Sequence, residues 1–185
     1  MSCLENELTK QILEDAKRGE LWLYDDLNDE TGFYLIHALK KQNKDANCSH
    51  IHININSPGG QTKYLFPIID LMEIIRPNVV CTVDHIAGSG AAIILACGSK
   101  RMALENAAIM VHGISYGTGT SPQKLPFHES YLQMVKAKEE KVCRILAKKT
   151  NKPYSYWDKI FKTNEDRWFG AEEALEVGLI DEIIK

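Results

Sequence analysis

The sequence predicts a single α/β domain built from repeated strand–helix units. Two apolar strands, HIHININ (50–56) and VVCTV (79–83), are each followed by a helical segment, at 64–75 and at AAIILAC (91–97). Turns rich in small residues separate these segments. Such alternation is typical of a parallel sheet covered by helices. The length of 185 residues suits one hydrophobic core, so we assign residues 1–185 to one domain.

The N-terminal part predicts a helix, a strand and a second helix. Segment 9–17 has helical periodicity and is followed by Gly19, and LWLY (21–24) is the first apolar strand. Asn28 precedes the second helical segment and is a typical N-cap residue. In segment 50–56 isoleucine alternates with histidine or asparagine, which predicts a strand with one apolar and one polar face.

The C-terminal half predicts a strand at AAIMV (107–111), a loop rich in Gly, Ser and Thr over 113–126, and a long helix over 127–149. A final short helix, a turn at Gly178 and a strand follow. Polar Glu139 interrupts the apolar stripe of the long helix, which favours a helix that its own domain covers only in part. Such a helix could meet another subunit. The stripe consists of Leu132, Val135, Val142 and Leu146.

Composition and charge exclude several classes of partner. With 22 basic and 25 acidic residues, the chain has no strong charge that would favour nucleic acid or an anionic membrane. Its apolar stretches are far shorter than the roughly 20 residues that span a bilayer. The first ten residues include acidic side chains and have no apolar stretch of signal-peptide length. We therefore expect a soluble, cytoplasmic protein that binds neither nucleic acid nor membrane.

No cofactor motif is present. The five cysteines never stand at C-x-x-C spacing, which argues against both a disulfide framework and a zinc site. Neither G-x-x-x-x-G-K-[ST] nor G-x-G-x-x-G occurs, so no nucleotide site is indicated. We expect a protein that works without a metal or an organic cofactor.

Ser89 is the candidate nucleophile. It lies in AGSG (87–90), where an apolar strand turns into a helix of small residues, so its hydroxyl would lie near the positive end of that helix. The structural alternative is a serine that only caps the helix. Gly88 and Gly90 favour a functional role, because they let a backbone or a substrate come close and the Gly90 N–H can donate to an oxyanion.

His112 is the candidate base. Of the six histidines, it alone follows a predicted core strand and faces a loop, at the kind of strand end where α/β sites collect. His85 is the rival, but it is so near Ser89 in sequence that we expect it to point away. His50 and His52 share a strand face and could ligate a metal, although no third ligand is evident and a polar sheet face is favoured.

The acid and the second oxyanion donor stay open at this point. Asp84, Asp166 and Asp181 are all candidates among many carboxylates. The motif SPGG (57–60) follows a strand and forms either a plain turn or a loop whose N–H groups face a substrate backbone.

Four motifs resemble the Clp protease proteolytic subunit, in the same order along the chain: INSPGG (55–60), AGSGA (87–91), IMVHG (109–113) and EDRWFGAEEALEVGLID (165–181). The resemblance extends over roughly 19–185. It implies a crotonase-like fold of strand–helix units, from which the helix over 127–149, in a handle region of about 123–149, projects to join two rings.

Carried onto matching positions, the resemblance implies catalytic Ser89, His112 and Asp166, with Gly60 and Gly90 as the oxyanion hole. The implied activity is that of a serine endopeptidase, which hydrolyses peptides and unfolded proteins through an acyl-enzyme inside an oligomeric chamber. The C-terminal motif is shared in kind with the wider crotonase-like superfamily. An acyl-CoA enzyme on the same fold and a non-catalytic ring subunit are therefore the alternatives.

The resemblance also implies two stacked heptameric rings and a Clp ATPase unfoldase as partner. Three departures accompany it. Residues 1–18 lack the N-terminal axial-loop pattern of the family, which bears on docking to the ATPase. The loop 113–126 has GISYGTGT in place of a glycine-rich run, and Gly90 replaces the usual methionine, which should widen the pocket beside the nucleophile.

Overall fold

A computed structural model of the chain describes residues 3–115, 125–163 and 165–185. In these residues helices and strands alternate apart from one pair of consecutive strands and one pair of consecutive helices, and the strands form one sheet. The helices are α1 (Cys3–Lys17), α2 (Asp29–Lys44), α3 (Thr62–Ile74), α4 (Gly90–Cys97), α5 (Leu125–Lys149), α6 (Tyr154–Phe161) and α7 (Ala171–Val177). The strands are β1 (Glu20–Tyr24), β2 (His50–Ser57), β3 (Asn78–Gly88), β4 (Lys100–Leu104), β5 (Ala108–Val111), β6 (Arg167–Gly170) and β7 (Glu182–Ile184).

The sheet forks at β3, and this fork places the candidate site. The strand order β1-β2-β3-β4-β7 is parallel throughout. Residues 80–83 of β3 pair with β4, whereas residues 86–88 pair in parallel with β5, which in turn pairs antiparallel with β6. The predicted α/β class is confirmed, and the sheet is mixed because of the β5–β6 pair.

The core forms on the apolar face of β2. Ile51, Ile53 and Ile55 have no solvent exposure, as the alternating pattern predicted. Asn28 caps α2, because its side chain accepts hydrogen bonds from the Glu30 and Thr31 N–H groups. This capping prediction is confirmed.

Several element boundaries differ from the sequence predictions. Helix α1 begins at Cys3 rather than at residue 9, and α5 begins at Leu125 rather than at 127. Strand β3 continues to Gly88, where a turn over 87–90 was predicted, because its last residues pair with β5. Three short elements, β4, α6 and β6, were not predicted.

The structure describes only part of the predicted loop, and it buries only part of the predicted handle helix. Residues 113–115 have no regular structure, and residues 116–124 lie outside the described residues. On α5 the stripe residues Val135, Val142 and Leu146 are buried, while Leu132 is 37% exposed, so the domain covers this helix incompletely. Among the helices of the described ranges, none has the length and apolarity needed to cross a membrane.

Candidate active site

Ser89 lies at the sharp turn between β3 and α4. Its φ of 48° and ψ of −118° fall in a region that a non-glycine residue adopts at a cost of about 1–3 kcal/mol, and such strain concentrates at functional positions. The Ser89 N–H donates to the Met110 carbonyl at 2.8 Å, which ties the turn to β5. Ser89 makes no side-chain cap hydrogen bond to α4, so the helix-cap alternative is wrong.

His112 follows β5 directly and meets Ser89. Gly88 pairs with Met110 in parallel register, so β3 and β5 end at the same edge of the sheet. The His112 Nε2 and Ser89 Oγ atoms are 2.8 Å apart, which is an ordinary hydrogen-bond distance. The fork of the sheet thus brings together a hydroxyl and an imidazole that lie 23 residues apart in the chain.

The SPGG loop packs directly against the nucleophile turn. A Cβ on Gly59 would lie 2.5 Å from the Gly88 carbonyl oxygen and 2.7 Å from the Gly90 nitrogen, and the φ of Gly59 is +96°. A Cβ on Gly88 would lie 2.7 Å from the Pro58 carbonyl oxygen. Both positions therefore require glycine, and SPGG is more than a plain turn.

Two backbone N–H groups lie beside Ser89. Gly90 is the first residue of α4, where backbone N–H groups have no intrahelical acceptor. The Gly60 nitrogen would be 3.8 Å from a Cβ on Gly90. The Leu27 N–H donates to the Gly59 carbonyl, and the Leu27 carbonyl accepts from the Gln61 N–H. The Gly60 N–H takes no part in these two hydrogen bonds. Two backbone donors this close to a nucleophile can stabilise an oxyanion when both point at the same carbonyl oxygen.

Asp166 lines the same recess as His112. This open recess has a volume of about 520 Å³, and Glu139 and Glu165 also line it. Asp166 is exposed. In the described part of the chain, neither a hydrogen bond nor an ion pair joins Asp166 to His112. The structure therefore brings Asp166 to the recess of His112 without a hydrogen bond between its carboxylate and the imidazole.

The chain matches the Clp protease family over residues 5–185. It belongs to the Clp protease family. Membership supports a peptidase function and implies a peptide substrate and an oligomeric assembly in general terms. The match begins at residue 5, so it also covers most of the N-terminal segment that the motif resemblance left out.

The other two candidate acids in this family member are engaged elsewhere. Asp84 accepts a hydrogen bond from the Tyr24 hydroxyl, and burial together with this carboxylate raises the pKa of Tyr24 to about 12. Asp181 accepts hydrogen bonds from Arg101, and this contact lowers the pKa of the Asp181 carboxyl. Neither carboxylate lines the recess of His112.

Of the other histidines considered from the sequence, His85 is exposed and His50 and His52 have other partners. His52 lies on the polar face of β2, with Nε2 2.7 Å from Thr82 Oγ1 and Nδ1 3.3 Å from Glu20 Oε2. His50 Nδ1 lies 3.1 Å from Ser49 Oγ. Across the ranges that the structure describes, no three His, Cys, Asp or Glu side chains converge as metal ligands.

Sequence reasoning missed two residues of this site. Gly59, rather than Gly60 alone, makes the close approach to the nucleophile turn. Glu139 accepts a hydrogen bond from the Ile114 N–H at 2.8 Å, two residues after His112. The polar break in the apolar stripe of α5 was the available signal for Glu139.

Proposed function

We propose that this chain is a serine endopeptidase with Ser89 as nucleophile and His112 as base. The 2.8 Å separation of Ser89 Oγ and His112 Nε2 carries the proposal. A serine on a strained strand-to-helix turn with a histidine within hydrogen-bond reach is the arrangement that acyl transfer requires. Membership of the Clp protease family supports peptide bonds as the bonds that are cut.

The proposed mechanism proceeds through an acyl-enzyme. His112 Nε2 accepts the Ser89 proton as Oγ attacks the peptide carbonyl carbon, and the Gly60 and Gly90 N–H groups stabilise the oxyanion. As the intermediate collapses, the C–N bond breaks and His112 donates the proton to the leaving amine. Water activated by His112 then hydrolyses the ester. The cycle uses neither a metal nor an organic cofactor.

We assign Asp166 as the acid that orients His112. Its position in the recess of His112 supports the assignment, because Asp84 and Asp181 are bound to other partners. The missing contact must form during the cycle. Catalytic hydrogen bonds are often long in unliganded enzymes and tighten when substrate binds. We propose that ring assembly or substrate binding brings the Asp166 carboxylate onto His112 Nδ1.

The proposed assembly is a pair of stacked heptameric rings that enclose the sites. Exposed Leu132 and Met134 on α5, with Ile74 and Phe33 elsewhere, offer apolar surface for subunit contacts. Short peptides should then be cut unaided, and folded proteins only with a Clp ATPase unfoldase. We propose a cytoplasmic setting, which the free thiols of Cys48, Cys81, Cys97 and Cys143 support.

The test compares wild type with Ser89→Ala on a short fluorogenic peptide and a disordered protein. We expect internal peptide-bond cleavage by wild type and a loss of at least about 10³-fold in Ser89→Ala, because removing a nucleophile of this kind has costs of that order or more. Ser49→Ala is the matched control, since exposed Ser49 also contacts a histidine but lies away from the recess. Equal hydrolysis by wild type and Ser89→Ala would contradict the proposal.

A further inference from the structure

Glu139 is a half-buried carboxylate on α5 that faces the candidate site rather than solvent. Its Oε1 atom accepts a hydrogen bond from the Ile114 N–H at 2.8 Å. Its neighbour Glu140 is exposed and pairs with Arg144 at 3.8 Å. A hydrogen bond from a backbone N–H to an ionised carboxylate is stronger than one between neutral groups. The polar residue that breaks the stripe of α5 therefore makes a specific contact with the segment after β5.

This contact holds the chain where the sheet no longer does. Strand β5 ends at Val111, which pairs with Arg167, and residues 112–115 have no regular structure. A Cβ on Gly113 would lie 2.6 Å from the Phe161 carbonyl oxygen and 3.1 Å from Glu139 Oε1. The backbone after His112 thus passes between the end of α6 and the Glu139 carboxylate. Movement of this segment would carry the imidazole with it.

We propose that Glu139 is a positioning residue for His112, a role that rests on the proposed function and deepens it. By holding Ile114, the carboxylate keeps His112 Nε2 within hydrogen-bond distance of Ser89 Oγ. Glu139 takes no part in proton transfer. Since a displacement of about 1 Å can lower a rate by on the order of 100-fold, a contact two residues away affects the chemical step.

Three variants of the full chain test the role. Glu139→Ala removes the acceptor, Glu139→Gln keeps an acceptor oxygen at the same reach, and Glu140→Ala alters the exposed neighbour on the same helix. The first readout is hydrogen exchange of the Ile114 amide. The second is kcat and KM on a short fluorogenic peptide, with the rate of fluorophosphonate labelling of Ser89. Thermal unfolding and sedimentation establish that each variant is folded and assembled as wild type is.

We expect Glu139→Ala to exchange Ile114 at least about tenfold faster than wild type. We also expect its kcat to fall by about 10- to 100-fold while KM changes by less than about threefold. Glu139→Gln should restore both readouts to within about threefold of wild type, because the hydrogen bond persists without the charge. Glu140→Ala should match wild type.

Unchanged Ile114 exchange in Glu139→Ala would overturn the inference, as would a Glu139→Gln variant as impaired as Glu139→Ala. Faster exchange with an unchanged kcat would equally overturn the positioning role. If wild type itself shows no labelling at Ser89, the proposed endopeptidase function fails and the positioning role fails with it. If Ser89 is labelled in wild type but Glu139→Ala changes neither Ile114 exchange nor kcat, the positioning role of Glu139 fails and the proposed endopeptidase function stands.

Discussion

The two sides of His112 differ in how the chain fixes them. On one side the imidazole meets Ser89, whose turn is held by the β3–β5 pairing and by the SPGG loop packed against Gly88 and Gly90. On the other side Asp166 is exposed in an open recess and, among the described residues, forms neither a hydrogen bond nor an ion pair with His112. The nucleophile side depends on backbone packing within one subunit, while the acid side depends on an exposed side chain with no hydrogen bond to His112.

This difference indicates where control of activity is located. Backbone contacts between buried strands form as the domain folds. An exposed carboxylate can be brought into line or withdrawn at little energetic cost. In a peptidase whose sites are proposed to work inside a ring, the acid side is therefore the part that assembly or substrate can switch.

The largest expected effect is that of Gly59→Ala. The new Cβ would approach two backbone atoms of the nucleophile turn to 2.5 and 2.7 Å and the Ser89 Cβ to 2.8 Å, at a φ of +96°. We expect peptide hydrolysis to fall to background, and the free energy of unfolding to fall by about 3 kcal/mol, as for other strained backbone positions. Activity assays and urea unfolding measure both.

The matched control is Gly170→Ala, because a Cβ there would meet nothing within 4 Å. Its stability should stay within about 0.5 kcal/mol of wild type. A Gly59→Ala variant as active and stable as Gly170→Ala would show that the close packing of SPGG on the turn does not hold the site.

Asp166→Asn tests the acid side and should act on the rate alone. If the carboxylate orients His112 during the cycle, kcat should fall on the order of 10⁴-fold, as for an amide that stabilises the wrong imidazole tautomer. Stability should change by less than about 0.5 kcal/mol because the side chain is exposed. Glu165→Gln, at the adjacent carboxylate of the same recess, should change kcat by less than about threefold.

A kcat for Asp166→Asn within threefold of wild type would remove Asp166 from the mechanism. It would leave a serine–histidine pair that acts without this acid. Equal losses in Asp166→Asn and Glu165→Gln would instead show that the negative charge of the recess matters, rather than one oriented carboxylate.

The proximity of Ser89 and His112 was easier to predict from the sequence than the position of Asp166, for a physical reason. Ser89 and His112 stand at strand ends beside glycines, and hydrophobic periodicity locates strand ends. Asp166 resembles any surface carboxylate, so only the family motif singled it out. The close approach of Gly59 could not be predicted, because it depends on two loops that are far apart in sequence.

Short elements escaped prediction for a related reason. Strand β4 (KRMAL) carries Lys100 and Arg101 in its five residues, so it lacks an apolar pattern. It is stabilised by tertiary contacts, including hydrogen bonds from Arg101 to Asp181 and to the Gly178 carbonyl. The fork of β3 was likewise not predicted, since pairing with β5 keeps 84–88 in the strand despite its turn-like composition.

Unlike Asp166, the Asp181 carboxylate is held by an ion pair within the chain. Its substitution has the smallest expected effect on the protein. Arg101 lowers the pKa of Asp181 below the usual 3.8, so the folded state binds this proton less readily than the unfolded state. The ion pair therefore stabilises the fold above pH 3.8, and this contribution is lost as the pH falls through the folded pKa. Because Asp181 is 39% exposed, we expect less than about 1 kcal/mol.

Asp181→Asn should accordingly lower stability at pH 7, and its stability should depend less on pH below about 4 than that of wild type. Urea unfolding across this pH range measures the difference, with exposed Glu176→Gln as control. If the free energy of unfolding fell equally steeply with decreasing pH in wild type and in Asp181→Asn, the proposed effect of the Asp181 pKa on stability would be contradicted.

Intact-mass and peptide mass spectrometry after reaction with a fluorophosphonate tests the serine–histidine pair most directly. Wild type, Ser89→Ala and His112→Ala are compared as folded oligomers under identical conditions. We expect one adduct per subunit on Ser89 in wild type, none in Ser89→Ala, and labelling slowed by at least about 10³-fold in His112→Ala. An adduct on a different residue, or wild-type rates in His112→Ala, would contradict the assignment of Ser89 and His112 as the nucleophile and its base.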